Sequence, residues 1–155
     1  MSNKINKKII IVDFGVGNLR SVTEAFARFT DCAAVSDELA DVVRADAIVL
    51  PGVGAFGEGM RGLHVRNLVN GVRQFAASGK PVLGICLGAQ LLLGRGHEFG
   101  DCEGLNIIPG NVVHFPNFGP TMKIPHIGWN KIYSPSGGMP LVQENAYMYF
   151  VHSYI

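Results

Sequence analysis

Four short apolar runs along the chain predict buried strands, and the segments between them carry apolar residues at helical spacing. The runs span residues 8–12, 32–35, 47–50 and 81–85, and the first is a β-branched series typical of a strand buried on both faces. Residues 18–29, 37–44 and 59–77 predict helices, with Asn18 as N-cap of the first. This alternation favours an α/β fold, an open, mostly parallel sheet flanked by helices.

After Leu93 the pattern changes to short apolar segments separated by Gly, Pro and Asn. These segments predict strands and loops, and therefore a C-terminal antiparallel β portion; they span residues 107–108, 112–115, 124–132 and 147–155. The last resembles an interior strand, so we expect a chain that is incomplete at its C-terminus, because an unpaired apolar edge favours aggregation. The length of 155 residues fits a single domain, 1–155.

Composition and charge exclude several classes of protein. Thirteen basic and twelve acidic side chains give a net charge of +1 without a basic stripe, so no nucleic-acid partner is expected. No apolar stretch is long enough to cross a bilayer, so no membrane partner is expected. The three cysteines are widely spaced and suit reduced thiols in a cytoplasm. The absence of a C-x-x-C pair and the scattered histidines argue against a metal site, and no cofactor is expected.

Cys86 lies between the fourth predicted strand and a predicted helix, with Gly84 and Gly88 on either side. This spacing predicts a nucleophile elbow, a sharp turn that needs small neighbours because larger side chains would collide with the strand and the helix. The thiol would then point outward at a helix N-terminus, which favours the reactive thiolate. The alternative is a buried cysteine that acts as a small hydrophobe, and this is the interpretation preferred for Cys32 and Cys102.

Residues 51–54, here called the glycine loop, follow the third predicted strand and would lie beside the fourth. A nucleophile that attacks a carbonyl group needs N–H donors directed at the developing oxyanion. The N–H of Leu87, directly after the nucleophile, and the N–H of Val53 are the natural pair. Gly52 would allow the peptide to take the required orientation.

Gln90 and Glu98 are the candidate polar contacts to a substrate. Gln90 follows the cysteine by one helical turn and could reach a substrate amide or carboxylate, while Glu98 could bind an α-ammonium group. For both residues an exposed position on the surface without a functional role is the alternative.

Several longer motifs carry a resemblance to a known family. They are the segments 13–21, 50–54, 84–92, 108–112, 125–130 and 149–154, and the segments Pro-His-Ile-Gly-Trp-Asn and Phe-Val-His-Ser-Tyr are the most specific. With these motifs the chain resembles the class I glutamine amidotransferases, and among them the glutaminase subunits of imidazole glycerol phosphate synthase. The resemblance covers essentially the whole chain.

The resemblance implies a glutaminase in which Cys86 forms a glutamyl thioester and releases ammonia. In that family the ammonia passes to a (β/α)8-barrel cyclase subunit, the partner in a heterodimer of histidine biosynthesis. Glutamine-contacting positions of the family match Gly52, Gln90 and Glu98, and the strand that lines the pocket matches Ser153 and Tyr154. The face turned to the cyclase matches Asn18, Pro125, His126 and Trp129.

The chain departs from the family at its C-terminal end. The family continues with further strands and a His-Pro-Glu segment that supplies the base and its orienting carboxylate, so we expect this chain to be nearly inert alone. None of its five histidines is expected to replace that base. Two alternatives stay open, namely a subunit that supplies ammonia for cell-surface sugar synthesis and a non-catalytic fragment that binds the cyclase.

Overall fold

The computed structural model describes residues 4–117, 119, 123–133 and 145–155. The chain forms two compact units, the first ending at Val113 and the second running from His114 to Ile155. Among the described residues, no helix is both long and apolar enough to span a bilayer.

A parallel four-stranded sheet forms the centre of the first unit. Its strands are β1 (Ile9–Val12), β2 (Ala33–Ser36), β3 (Ala47–Leu50) and β4 (Val82–Gly84), in the order β2-β1-β3-β4. All three pairings are parallel, and all four residues of β1 are buried, as the continuous β-branched run predicts. The predicted fold class is confirmed, and the strand ends meet at one edge where a site can form.

Five helices connect and follow these strands. They are α1 (Leu19–Phe26), α2 (Leu39–Arg44), α3 (Phe56–Val65), α4 (Val69–Ala77) and α5 (Leu87–Leu91). The predicted N-cap of α1 is confirmed, because Asn18 Oδ1 accepts a hydrogen bond of 3.1 Å from the N–H of Ser21. Apolar residues of α1, among them Val22 and Phe26, pack on Ile9 and Ile11 of the sheet.

The single helix predicted over residues 59–77 is wrong, because the structure has two helices there. Asn67 has a positive φ of 56°, a conformation that asparagine tolerates, and it ends α3. The N–H of Leu68 donates to Leu63 O at 2.9 Å and the N–H of Asn67 to His64 O at 3.0 Å, the hydrogen-bond pattern of a Schellman motif. Leu68 is fully buried, so packing of this side chain stabilises the break.

A small second sheet follows α5. Its strands are β5 (Arg95–Gly96), β6 (Cys102–Glu103) and β7 (Asn111–Val112); β5 pairs antiparallel with β6 and parallel with β7. The apolar pattern does not predict β5 or β6, because each has two residues and little hydrophobic character. The hairpin that they form carries Glu98 in its turn.

An antiparallel hairpin dominates the second unit. Its strands are β8 (His126–Lys131) and β9 (Tyr147–His152), which pair from His126 with His152 to Lys131 with Tyr147. Both strands lie inside predicted segments, and the predicted antiparallel portion is confirmed. Beyond β9, Tyr154 forms an isolated antiparallel bridge with His114.

Candidate active site

Cys86 occupies the turn between β4 and α5. Its backbone has φ 54° and ψ −116°, a combination that is rare for residues other than glycine, and its side chain is exposed. The N–H of Ile85, the residue before it, donates to Leu50 O at 2.9 Å, which extends the pairing of β3 with β4 up to the cysteine. The geometry predicted for an elbow, a sharp strand-to-helix turn that presents the sulfur to solvent, is therefore present.

The two glycines beside the cysteine have no room for a side chain. A Cβ added at Gly88 would overlap the carbonyl oxygen of Leu50, and one added at Gly84 would overlap backbone atoms of Ala89. Both obstacles are backbone atoms, so a rotamer change cannot remove the clash. The steric reason predicted for these glycines is confirmed.

The glycine loop packs against the start of α5. A Cβ at Gly52 would lie 3.0 Å from Leu87 Cβ and 3.2 Å from Gly88 N, so the two backbones are in close approach. On its other side, a Cβ at Gly17 would lie 3.4 Å from Gly52 Cα, which brings the loop after β1 to the same place. This contact with Gly17 does not follow from the local sequence pattern, because it joins residues far apart in the chain.

The two predicted oxyanion donors are amide groups without an acceptor. Within the part of the chain that the structure describes, neither the N–H of Val53 nor that of Leu87 donates a hydrogen bond. Val53 is also 60% exposed. The backbone carbonyl of Cys86 accepts from the N–H groups of Ala89 and Gln90, at 2.9 and 3.2 Å. Unpaired N–H groups on the residue after an outward thiol, and on the loop that packs against that residue, suit chemistry in which a carbonyl oxygen gains negative charge.

Glu98 and Gln90 are both half-buried rather than fully exposed. Gln90 lies on α5, one turn after Cys86, as its spacing predicts. Glu98 Oε2 accepts a hydrogen bond of 2.9 Å from the N–H of Phe56, the first residue of α3. The role of Phe56 was not predicted from the sequence. Its signal is Ala55 at the N-cap position, because alanine cannot accept a hydrogen bond from the first turn of the helix with its side chain.

The three cysteines have different surroundings. Burial first, and the negative charge of Glu103 second, raise the pKa of the Cys102 thiol, which makes its thiolate scarce at neutral pH. The interpretation of Cys32 as a buried hydrophobe is wrong, because its side chain is exposed and Sγ lies 3.6 Å from Asn6 Oδ1. Cys32 precedes an edge strand of the sheet, where little covers it.

The remaining predicted residues are divided between the units. In the first unit, Asn18 is exposed at the start of α1. The other residues lie in the second unit: Pro125 and Trp129 are exposed, and His126, Ser153 and Tyr154 are half-buried. Ser153 O accepts from the N–H of Phe115 at 2.9 Å, and His126 Nδ1 lies 3.1 Å from His152 Nε2. Their predicted roles in substrate and partner binding stay predictions.

No metal cluster is found in the described residues: nowhere among them do three or more His, Cys, Asp or Glu side chains meet in a way that could hold an ion.

A parallel α/β sheet with a thiol at a strained strand-to-helix turn defines a class of protein, the α/β proteins with a cysteine nucleophile elbow. The family model described as glutamine amidotransferase class-I matches residues 10–155, and the chain belongs to that family. The resemblance seen in the motifs is thereby confirmed.

Three relatives show which members of this family the chain is similar to. Imidazole glycerol phosphate synthase subunit HisH 1 of Legionella pneumophila (strain Paris) is 46% identical over 157 residues, covering 95% of this chain and 74% of that protein. The subunit HisH of Symbiobacterium thermophilum is 49% identical over 150 residues, covering 95% of this chain and 69% of that protein. The subunit HisH of Sulfurimonas denitrificans is 45% identical, covering 94% of this chain and 72% of that protein.

Proposed function

We propose that this chain is the glutaminase subunit of an imidazole glycerol phosphate synthase and that it releases ammonia from glutamine through a thioester on Cys86. Membership of the amidotransferase family and the similarity to HisH subunits support the proposal. The observation that carries it is the strained, outward turn at Cys86, next to the unpaired N–H of Leu87 and the loop with the unpaired N–H of Val53.

The reaction begins when the Cys86 thiolate attacks the side-chain carbonyl carbon of glutamine. A C–S bond forms, and the carbonyl electron pair moves to oxygen, where the N–H groups of Val53 and Leu87 donate to it. The carbonyl then reforms and the C–N bond breaks, and the nitrogen leaves as ammonia after taking up the proton lost by the thiol. In the family the His-Pro-Glu segment supplies the base that carries this proton, so we expect residues 1–155 alone to pass through these steps only slowly. Water hydrolyses the thioester, which gives glutamate and restores the thiol.

Glutamine binding by the first unit belongs to the same proposal. Gly52, Gln90 and Glu98 contact the substrate in it, and the Glu98 carboxylate bears the charge that an α-ammonium group needs. The resemblance to the family also gives a substrate-binding role to Ser153 and Tyr154, which follow β9 in the second unit.

The ammonia passes to a (β/α)8-barrel cyclase subunit, with which the chain forms a heterodimer for histidine biosynthesis. The printed names of the relatives, each a synthase subunit, support this partner. They give no support to the alternatives of cell-surface sugar synthesis or a non-catalytic fragment. A cytoplasmic location, suggested by the three free thiols, belongs to the same proposal.

A diazoketone analogue of glutamine tests the proposed nucleophile without requiring turnover. Attack by the thiol forms a C–S bond, expels N2 and leaves the thiol proton on the former diazo carbon. We expect Cys86 to be labelled at least about tenfold faster than Cys32, since the N–H groups of Leu87 and Val53 polarise the ketone in the proposed site at Cys86. Peptide mass mapping over time gives the two rates.

Two controls sharpen this test. Iodoacetamide, which has no amino-acid recognition group, should alkylate both exposed thiols, Cys86 and Cys32, at rates much closer to each other. Free glutamine should slow the diazoketone reaction at Cys86 and leave that at Cys32 unchanged. Equal labelling of the two cysteines by the diazoketone, or no protection by glutamine, would contradict the proposed glutaminase activity.

A further inference from the structure

The glycine loop is buried at its start and exposed in its middle. Gly52 is buried against Leu87, as described above. Val53 is mostly exposed, and Gly54 has a φ of 109° with no atom within 4 Å of the position of a Cβ. The orientation of the Val53 N–H therefore depends on where the loop is fixed at its other end, the beginning of α3.

The first turn of α3 has no cap from its own segment. Ala55 occupies the N-cap position, and its methyl group cannot accept a hydrogen bond. The acceptor comes instead from Glu98, 42 residues further along the chain, whose Oε2 lies 2.9 Å from the Phe56 N–H. A carboxylate in this position is also favoured by the positive end of the helix dipole.

The hairpin that carries Glu98 also holds the Phe56 ring. Phe56 is fully buried, and a Cβ added at Gly96 in β5 would overlap its ring. The turn of the hairpin is braced, because His97 Nδ1 lies 2.6 Å from Asp101 Oδ1 and the His97 N–H donates to Val112 O at 3.0 Å. The turn that carries the Glu98 carboxylate is thus fixed by contacts of residues on both sides of Glu98.

We propose that Glu98 is a positioning residue for the oxyanion donor: by holding the Phe56 N–H it sets the start of α3 and thereby the orientation of the Val53 N–H in the glycine loop. This rests on the proposed function, in which Val53 donates to the oxyanion. Glu98 then acts twice, since one carboxylate oxygen holds the helix and the other is chemically able to accept from the α-ammonium of glutamine.

Amide hydrogen exchange tests the positioning role without any substrate. In Glu98→Ala, we expect the Phe56 amide to exchange at least about tenfold faster, because its hydrogen-bond acceptor is removed. Glu98→Gln keeps an acceptor oxygen at the same reach and should change this rate much less. Glu98→Asp keeps the charge but is one methylene too short, so it should behave like the alanine variant and provides a second test if the alanine variant does not fold.

The matched control is Glu58→Ala. Glu58 lies in the first turn of α3, is exposed and pairs with Arg61, so its removal takes away a negative charge from the same helix end. It does not accept from the Phe56 N–H. Exchange at Phe56 should therefore stay close to that of the unchanged protein, which separates loss of the specific hydrogen bond from loss of charge near the helix.

Diazoketone labelling of Cys86 then separates positioning from substrate binding. Glu98→Gln should mainly raise the inhibitor concentration for the half-maximal labelling rate, since the ammonium loses its counter-charge. Glu98→Ala should in addition lower the limiting labelling rate about tenfold or more, since a displaced Val53 N–H polarises the ketone poorly. A limiting rate that is kept in Glu98→Gln and lost in Glu98→Ala is a result that simple loss of binding would not produce.

The outcomes are distinguishable. Unchanged exchange at Phe56 in Glu98→Ala overturns the positioning role, as does an equal limiting rate in the alanine and glutamine variants. If the unchanged protein is not labelled at Cys86 at all, the proposed glutaminase function fails, and faster exchange at Phe56 together with a shifted amide NMR signal of Val53 still supports control of the loop by Glu98. Faster exchange at Phe56 with an unshifted amide signal of Val53 contradicts that control.

Discussion

Cys86 holds a backbone conformation that costs about 1–3 kcal/mol for a residue with a side chain. The surrounding structure imposes it, because β4 is paired with β3 up to Ile85 and α5 begins one residue after the cysteine. The strain is offset by the packing of buried neighbours, among them Leu87 and Leu91. A residue kept in such a turn, with its side chain in solvent, is a strong indication of a functional group.

Replacement of Gly88 by alanine tests the close packing behind the cysteine. The added Cβ would overlap the Leu50 carbonyl oxygen, so strand or helix must shift, and we expect a loss of about 3 kcal/mol in the free energy of unfolding. Urea denaturation monitored by circular dichroism measures the change.

The matched control for this substitution is Gly57→Ala, also within a helix. A Cβ at Gly57 has no atom within 4 Å, so alanine should be neutral or stabilise the protein by about 0.5–1 kcal/mol. An unfolding midpoint for Gly88→Ala equal to that of Gly57→Ala would show that α5 does not lie against β3 as described.

At the scale of elements, Lys8, the residue before β1, ties the start of that strand to α2, which carries Asp41, and to Asp46 between α2 and β3. Lys8 Nζ donates to Asp41 Oδ1 at 2.7 Å, and Ser36 Oγ donates to Asp41 Oδ2 at 2.9 Å. The backbone N–H of Lys8 donates to Asp46 Oδ2 at 2.9 Å. The hydrogen bond from Lys8, and then that from Ser36, lower the pKa of Asp41, and the backbone bond from Lys8 lowers the pKa of Asp46.

These lowered pKa values predict an acid-sensitive contribution to stability. It is fully present above the unfolded pKa of about 3.9 and is lost as the pH falls through the lower folded values. Asp41→Asn should therefore have a lower unfolding midpoint than the unchanged protein at pH 7, and the gap should narrow as the pH falls below the unfolded pKa of about 3.9. Urea titrations at pH 7 and at a series of pH values below that pKa measure it.

Glu24→Gln is the control for the effect of charge alone, since Glu24 belongs to an exposed pair with Arg20 on α1. Such pairs contribute little, so its midpoint should differ little from that of the unchanged protein at either pH. A gap for Asp41→Asn that persists undiminished in acid would show that the effect comes from packing and not from ionisation of the carboxyl.

At the scale of the whole molecule, the β8–β9 hairpin presents large side chains to solvent on one face. Trp129 pairs across the strands with Tyr149, and Ile127 pairs with Val151; all four are exposed. Exposed apolar groups of this size are typical of binding surfaces, and tryptophan is enriched at positions that dominate binding energy. This agrees with the proposed docking of the cyclase through Trp129.

The partner proposal predicts that Trp129→Ala weakens association with the (β/α)8-barrel cyclase of the same organism by at least about tenfold, since hot-spot residues typically contribute 2 kcal/mol or more. Co-purification and calorimetric titration measure the loss. Phe29→Ala is the matched control, because Phe29 is 63% exposed against 67% for Trp129 and lies beyond the far end of α1 from Asn18. Equal binding by the two variants would contradict docking through Trp129.

Much of the first unit was predictable from local pattern. The four strands, the Asn18 cap and the turn around Cys86 each follow from residues within a few positions of one another, and all are present. The break at Asn67 was missed, because the apolar period continues through it while a positive φ and the buried Leu68 end the helix. The exposure of Cys32 was missed for a similar reason, since an apolar run does not tell whether its strand lies at an edge.

The sequence alone determined the alternation of strands and helices and the position of the strained turn, because periodicity and small residues act over short distances along the chain. Only the tertiary structure decided that Glu98 caps α3 and that Gly17 packs on Gly52. Those contacts join residues tens of positions apart. The strand ends of the parallel sheet bring the loops of Gly17 and Gly52 together at one edge, and the β5–β6 hairpin brings Glu98 to the start of α3.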